Sequence, residues 1–338
     1  MKAVSFTHHL PISAPDALLD LEVPRPSLRA RDLLVAVRAI SVNPVDTKIR
    51  AGFGPRRPGT PLRLGWDAAG VVVETGPDAT RFKPGDEVYY AGTIDRDGTY
   101  AEFHAVDERL VGHKPAKLSF AEAAALPLTA ITAWEMLFDR LKLARDPATR
   151  GSLLIIGGAG GVGSVAIQLA RRLTGLTVIA TASRPDSRVW CLALGAHHVI
   201  DHRQPLSAQV KAIVPGGVNH VLGLTKTEEH YEQIIDALAP MGALVLIENV
   251  ARPLDLNLLK PKCLSLHWEF MFARALFQTP DMAEQGRLLD EVAALADRGE
   301  LRSTLSREFT PINAANLRQA HAQIESGRTI GKLALSSW

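Results

Sequence analysis

A chain of 338 residues is too long for one ordinary hydrophobic core and predicts two domains. Its 46% hydrophobic content, 22% charged content and net charge of +2 fit a globular protein with no field strong enough to favour nucleic acid or a membrane surface. Two distant cysteines, Cys191 and Cys263, support neither a disulfide framework nor a cysteine-based zinc site, and read as small buried apolar residues.

Residues 1 to about 115 read as short strands separated by Gly and Pro turns. "LLVAVRAISV" (33–42) and "AAGVVVETG" (68–76) are β-branched runs, "FKPGDEVYYAG" (82–92) places a Pro84-Gly85 turn before a strand, and "TYAEFHAV" (99–106) alternates. This block predicts a strand-rich domain, a partly open barrel or sandwich. From about Ser119 the texture changes: "FAEAAALPLTAITAWEMLFDRL" reads helical on both sides of Pro127. Strands and helices then alternate through "SLLIIG", "LTVIATA", "HHVID", "NHVLGL" and "GALVLIE", which predicts a parallel sheet with helices on both faces. After Pro253, "LSLHWEFMF" (264–272) alternates Leu264, Leu266, Trp268, Phe270 and Phe272 on one face, as an edge strand would. "EQGRLLDEVAALADRGEL" and "NAANLRQAHAQIESG" have helical spacing, and "GKLALSS" reads as a last strand returning to the first domain. The opening "MKAVSFTHHLPISAP" lacks an apolar core of signal-peptide length, and no run reaches the roughly 18 residues of a membrane span. The expectation is a cytoplasmic protein.

The sharpest signal is "LLIIGGAGGVGSVAIQLARRL" (153–173). Gly158-x-Gly160-x-x-Gly163 follows a strand and opens a helix whose apolar face is Val162, Val165, Ala166, Leu169, Ala170 and Leu173. The first glycine permits a tight turn, the second lets backbone approach a pyrophosphate, and the third lets helix and strand pack closely. Backbone N–H groups around Gly161 and Val162 then face the phosphates at a helix N-terminus. The bland alternative is a glycine-rich turn with no ligand. An NAD site carries an acid about 20 residues on; here the second strand ends in Ser183-Arg184-Pro185, and the first acid is Asp186. A hydroxyl and a guanidinium suit a 2′-phosphate, so NADPH is the expected cofactor, unless Arg184 is only a solvated loop residue.

With these residues in place the chain resembles the medium-chain dehydrogenase/reductases, near the quinone oxidoreductases and zinc-lacking members of the zinc-type alcohol dehydrogenase-like group. The stretches that carry the resemblance are "SVNPVDTKIRAG", "GWDAAGVVVETG", "FKPGDEVY", "GTYAEF", "ALPLTAITAWEML", "GGAGGVGSVAIQLA", "ALGAHHVID" and "GKLAL", in the expected order. It implies an α/β protein: a GroES-like β-rich catalytic domain at 1–122, completed by a C-terminal return at about 295–338, and a Rossmann doubly wound parallel-sheet domain at 123–275 that binds NADP.

By resemblance Asn43 and Asp46 lie under the nicotinamide, with Lys48 and Trp66 nearby as further candidate catalytic residues. Thr129 and Thr132 fall near the nicotinamide carboxamide, Leu224 and Thr225 of "GLTKT" and Glu248 and Asn249 of "ENV" pass the nicotinamide and its ribose, and His202 contacts the adenosine phosphate. Lys332 approaches from the returning tail and is assigned to the cofactor. Plainer roles stay open: Asn43 before Pro44 suits a turn, Asp46 suits a helix cap, and Lys48 suits solvent. Where zinc enzymes of the family carry a cysteine ligand this chain has Asn43, where they carry the histidine of "GHE" it has Trp66, and the third region, "LPLTAITAW", has neither Cys nor His. A catalytic zinc needs about three protein ligands, so no metal is expected.

Without a Lewis acid an unactivated ketone is a poor hydride acceptor. The expected reaction is NADPH-dependent reduction of a small-molecule quinone or α,β-unsaturated carbonyl, by a homodimer joined through 264–272. The rival reading is a non-catalytic NADPH-binding or sensing protein. No basic, aromatic-interleaved stretch favours RNA.

Overall fold

The computed structural model describes residues 1–52 and 61–338, in two compact units. The first unit comprises 1–131 and 272–338, the second 132–271.

The N-terminal part of the first unit runs β1 (Lys2–Phe6), β2 (Leu19–Glu22), β3 (Asp32–Val42), α1 (Pro44–Arg50), β4 (Leu62–Arg63), β5 (Ala68–Thr75), β6 (Glu87–Tyr90), β7 (Phe103–Asp107), β8 (Val111–His113) and α2 (Phe120–Ala124). The next helix, α3 (Pro127–Trp134), contains the 131/132 division and continues into a π-helical turn, Glu135–Arg140. Each predicted strand of this block forms. β3 is the spine: β5 and β7 both pair with it antiparallel. Its burial is nearly continuous because it is covered on both faces, which is why the sequence there reads as an apolar run instead of a clean alternation.

The second unit is a parallel sheet in the order β11-β10-β9-β12-β13-β14. Its elements are β9 (Ser152–Ile156), α4 (Gly161–Leu173), β10 (Thr177–Thr181), α5 (Pro185–Ala193), β11 (His198–Ile200), α6 (Leu206–Ile213), β12 (Val218–Gly223), α7 (Thr227–Ala237), β13 (Leu238–Leu246) and β14 (Ser265–Trp268). Leu154, Ile156, Ile179, Val221, Leu244 and Leu246 fill a core on this sheet. The order reverses between β9 and β12, and in open α/β sheets ligands bind outside the strand carboxyl ends at such a reversal.

The chain then supplies α8 (Ala273–Leu276), α9 (Glu284–Asp297), β15 (Leu305–Phe309), α10 (Ala314–Glu325) and β16 (Lys332–Ser336) to the first unit. β16 pairs antiparallel with β3, Leu333 opposite Val42, so the tail does return. The return begins at Phe272, earlier than the position near 295 read from sequence. A contact distant in sequence holds α9 there: Tyr89 donates its hydroxyl to the Leu289 carbonyl at 2.6 Å, tying α9 to β6. The edge strand is also shorter than its alternation suggested. β14 stops at Trp268, Glu269 turns inward and is buried, and Phe272 is buried in the first unit.

Candidate functional site

In the second unit, β9 runs through the glycine loop into α4, whose N-cap is Gly160. The positive φ that the turn needs falls on Gly157, at +87°, one residue before the expected Gly158. Thr181 at the end of β10 pins the corner: its hydroxyl accepts from Gly157 N at 3.0 Å and its carbonyl from Gly158 N at 3.2 Å. Gly163 has no room for a side chain, since a Cβ there would lie 2.4 Å from the Gly157 carbonyl oxygen and 2.7 Å from Gly158 Cα. Gly160 is the opposite case. A Cβ there would meet only the Gly157 oxygen, at 3.4 Å, so its outer face is open for close approach to an anion. The N–H groups at the start of α4 complete a cradle that fits a pyrophosphate.

Several of the residues read as cofactor ligands lie on the strand-end loops of this unit. The loop after β12 brings Thr225 against Gly157, with 3.0 Å between the Thr225 methyl and a Cβ built at that glycine, and Leu224 N donates to the Ile156 carbonyl at 3.3 Å. Glu248, after β13, accepts from Lys226 N at 2.8 Å, and Asn249 follows it on the exposed side. Ser183 and Arg184 follow β10, and Arg184 is the N-cap of α5. Asp186, the first acid after β10, lies on that helix, and Arg184 Nε contacts its carboxylate at 3.4 Å.

Sequence reading passed over Arg203. Its guanidinium donates to the Ser183 carbonyl at 2.8 Å while paired with Asp201, so a second arginine stands at the end of β10. The signal was the basic run His202-Arg203, one strand further on. Asp201 is held down to about 2 by its hydrogen bonds from Arg203. His202 sits with His230, ring centroids 6.2 Å apart, and burial lowers the basicity of both.

In the first unit the candidates meet at the corner between β3 and α1. Asp67 is the hub. Its Oδ2 accepts from Ser41 Oγ at 2.6 Å, Asn43 Nδ2 at 2.7 Å and Lys332 Nζ at 3.0 Å, and its Oδ1 from Leu128 N at 2.8 Å. Lys332 donates also to Asn43 Oδ1 at 2.6 Å and to the Val42 carbonyl at 3.0 Å. Asn43, Asp67 and Lys332 are all buried. Lys332 thus ends beside Asn43 and Asp67, with three acceptors of the first unit around its ammonium.

Asp46 caps α1 from its third position, accepting from Asn43 N at 2.6 Å, and it takes the Tyr100 hydroxyl at 3.2 Å. Complete burial pushes its carboxyl up to about 7, against the pull of the Asn43 N–H and the Lys332 charge. Tyr100 also reaches His321 Nε2 at 3.2 Å. Burial drives the His321 imidazole down to about 3, so it is neutral, and raises the Tyr100 phenol. Tyr100, in "GTYAEF", was not among the residues singled out from the sequence. Trp66 is buried, with its indole N–H on the Thr93 carbonyl at 3.0 Å and its ring edge-on to Phe272. Thr129 is buried in α3 and bonds the Leu126 carbonyl; Thr132 is buried one turn on; Lys48 is exposed on α1.

A catalytic zinc does not fit these residues. Among the described residues no three His, Cys, Asp or Glu side chains converge. Of the two carboxylates at the corner, Asp67 accepts from four donors, one of them a cation, and Asp46 is engaged with the Asn43 N–H and the Tyr100 hydroxyl. Two further histidines are engaged elsewhere: His9 Nδ1 meets the Arg50 carbonyl, and His197 Nδ1 accepts from Val178 N.

A GroES-like β-rich unit and a Rossmann unit with a strand–glycine loop–helix corner define a two-domain dehydrogenase architecture. Residues 29–116 match the alcohol dehydrogenase GroES-like domain, and residues 194–335 match the zinc-binding dehydrogenase family. A zinc-type alcohol dehydrogenase-like protein of Staphylococcus aureus is 39% identical over 338 residues, covering 99% of this chain and all of the relative. A quinone oxidoreductase of Pseudomonas aeruginosa is 32% identical over 310 residues, 90% of this chain and 91% of its own. The crystal structure of a Rhizobium etli protein, provisionally named a zinc-dependent alcohol dehydrogenase, superposes with a TM-score of 0.94 at 52% identity, covering 100% of this chain and 98% of that one. The chain belongs to the medium-chain dehydrogenase/reductase superfamily of oxidoreductases, in its quinone oxidoreductase-like group.

Proposed function

We propose that this protein transfers hydride from NADPH to a quinone or an α,β-unsaturated carbonyl, without zinc, as a homodimer. The observation that carries the reading is the closed Lys332–Asp67–Asn43 cluster: the corner offers no set of ligands for a Lewis acid. A substrate must then be electron-poor by its own conjugation, so that the added electron pair spreads over a quinol or enolate oxygen. The overall change is addition of a hydride and a proton to the substrate, with NADPH going to NADP.

The dinucleotide, when bound, supplies the hydride. The chain's work is to bind and orient. The backbone of Gly160, Gly161, Val162 and Gly163 would hold the pyrophosphate, and Ser183 and Arg184, with Arg203 behind them, would take the 2′-phosphate. In the first unit the buried cluster keeps the Asn43 corner in one geometry and Asp46 behind it.

A two-direction assay with metal analysis tests this. Purified protein should oxidise NADPH with an ortho- or para-quinone or an enone, contain no stoichiometric zinc, ignore chelators, and give almost nothing with simple alcohols and NADP. One zinc per chain with chelator-sensitive alcohol oxidation would overturn the mechanism. Inertness toward every quinone and enone, with NADPH still bound, would favour a sensor.

A further inference from the structure

The relatives named for zinc raise the question of what occupies this corner instead. Lys332 has three ammonium protons and three acceptors: the Val42 carbonyl, Asn43 Oδ1 and Asp67 Oδ2. Asp67 in turn is satisfied by Lys332, Ser41, Asn43 and Leu128. The ammonium and the carboxylate at its centre are thus satisfied by partners inside the cluster. It ties together the end of β3, the residue before α1, the residue before β5, α3 and the first residue of β16.

We propose that Lys332 is this protein's resident cation, a positioning residue whose ammonium fixes the Asn43 corner, and that the pocket it fills is shaped for a primary ammonium and not for a metal ion. Three acceptors converging on one point match the three N–H bonds of an ammonium. A guanidinium presents its donors in a flat fork and does not match them. A metal ion brought to the same point would face the Ser41 and Asn43 donors already directed at Asp67. Lys332 with its charge balanced by Asp67 and its protons spent holds geometry; it does not polarise a substrate.

The activity arm of the test rests on the proposed hydride transfer; the stability arm does not. Lys332→Ala should melt lower than the wild type. It should reduce a quinone about 10- to 100-fold more slowly, the scale of a displaced reacting group, while the Kd for NADPH stays within about twofold, less than 0.5 kcal/mol. Millimolar n-propylammonium should restore melting temperature and turnover saturably. Tetramethylammonium, sodium and zinc should not, and Lys332→Arg should resemble Lys332→Ala despite its charge.

Wild-type melting and turnover in Lys332→Ala would overturn the proposal. So would rescue by zinc, or a rise in the NADPH Kd that accounts for the lost activity, which would return Lys332 to the cofactor. If Lys332→Ala does not fold, Lys332→Met is compared with Lys332→Met/Asp67→Asn. The double variant should be the more stable, because Lys332→Met alone leaves a buried carboxylate without its cation; equal stability would refute the coupling. Should the wild type reduce no quinone or enone, the functional reading fails while the melting and amine-rescue measurements still decide the role of Lys332.

Discussion

Gly160 and Gly163, three positions apart in the same loop, should fail differently when given a methyl group. Gly163→Ala places a Cβ 2.4 Å from the Gly157 oxygen, 2.7 Å from Gly158 Cα and 2.8 Å from the Gly158 oxygen. All three are backbone atoms of a corner held by Thr181, so none can swing aside. Overpacking of this kind costs about 1–3 kcal/mol, and three backbone contacts point to the upper end. Alanine returns about 1 kcal/mol of helix propensity. The net is a loss of about 2 kcal/mol, or about 4–8 °C in melting temperature by the usual scaling. Gly160→Ala meets nothing closer than 3.4 Å, and its φ of −74° suits alanine. Its cost to the fold is about 0.5–1 kcal/mol, from a poorer N-cap. Its methyl group, however, occupies the face offered to pyrophosphate, and NADPH should bind about 10- to 100-fold more weakly, about 1.4–2.7 kcal/mol. Thermal unfolding without ligand and fluorescence titration of NADPH separate the two effects. Unchanged NADPH affinity in Gly160→Ala would refute the placement of the pyrophosphate, and an unchanged melting temperature in Gly163→Ala would refute the packing argument.

Arg184→Asp should cost NADPH about 1.5–3 kcal/mol by removing a charged hydrogen bond and leave NADH nearly as before; equal binding of both cofactors by the wild type would contradict the reading of Ser183 and Arg184. Asp46, raised to about 7 in the fold from 3.8, contributes stability that is complete below pH 4 and disappears as pH rises through about 7. Wild type should therefore lose about 3–5 kcal/mol relative to Asp46→Asn between pH 4 and 8, read from urea midpoints; parallel pH profiles would show that burial does not govern this carboxyl. β14 ends the sheet and leaves Trp268 50% and Phe270 46% exposed, so sedimentation should give a dimer and Trp268→Glu should shift it toward monomer at micromolar concentration. A wild-type monomer would remove that interface.

The glycine corner was legible in the chain because its determinants are local. Gly157 to Gly163, the apolar face of α4 and Ser183-Arg184 lie within one strand–helix–strand unit, and each is required by backbone geometry a few residues away. That "GKLALSS" would return to the first domain was also legible in the chain, but its pairing with β3 was not, because the partner lies at the other end of the sequence. What sequence could not supply was the company each polar residue keeps. Lys332 is 265 residues from Asp67 and 289 from Asn43, and Tyr100 meets His321 across 221 residues. Nothing in the spacing of "GK" distinguishes a lysine facing a nucleotide from one whose three protons are consumed inside the protein. Nor does "IDHR" announce that Arg203 reaches back to Ser183. Local periodicity determines strands, helices and the glycine turn. Which buried charge neutralises which is decided only when β16 docks on β3, because at that point each desolvated polar group must find a partner within hydrogen-bonding distance.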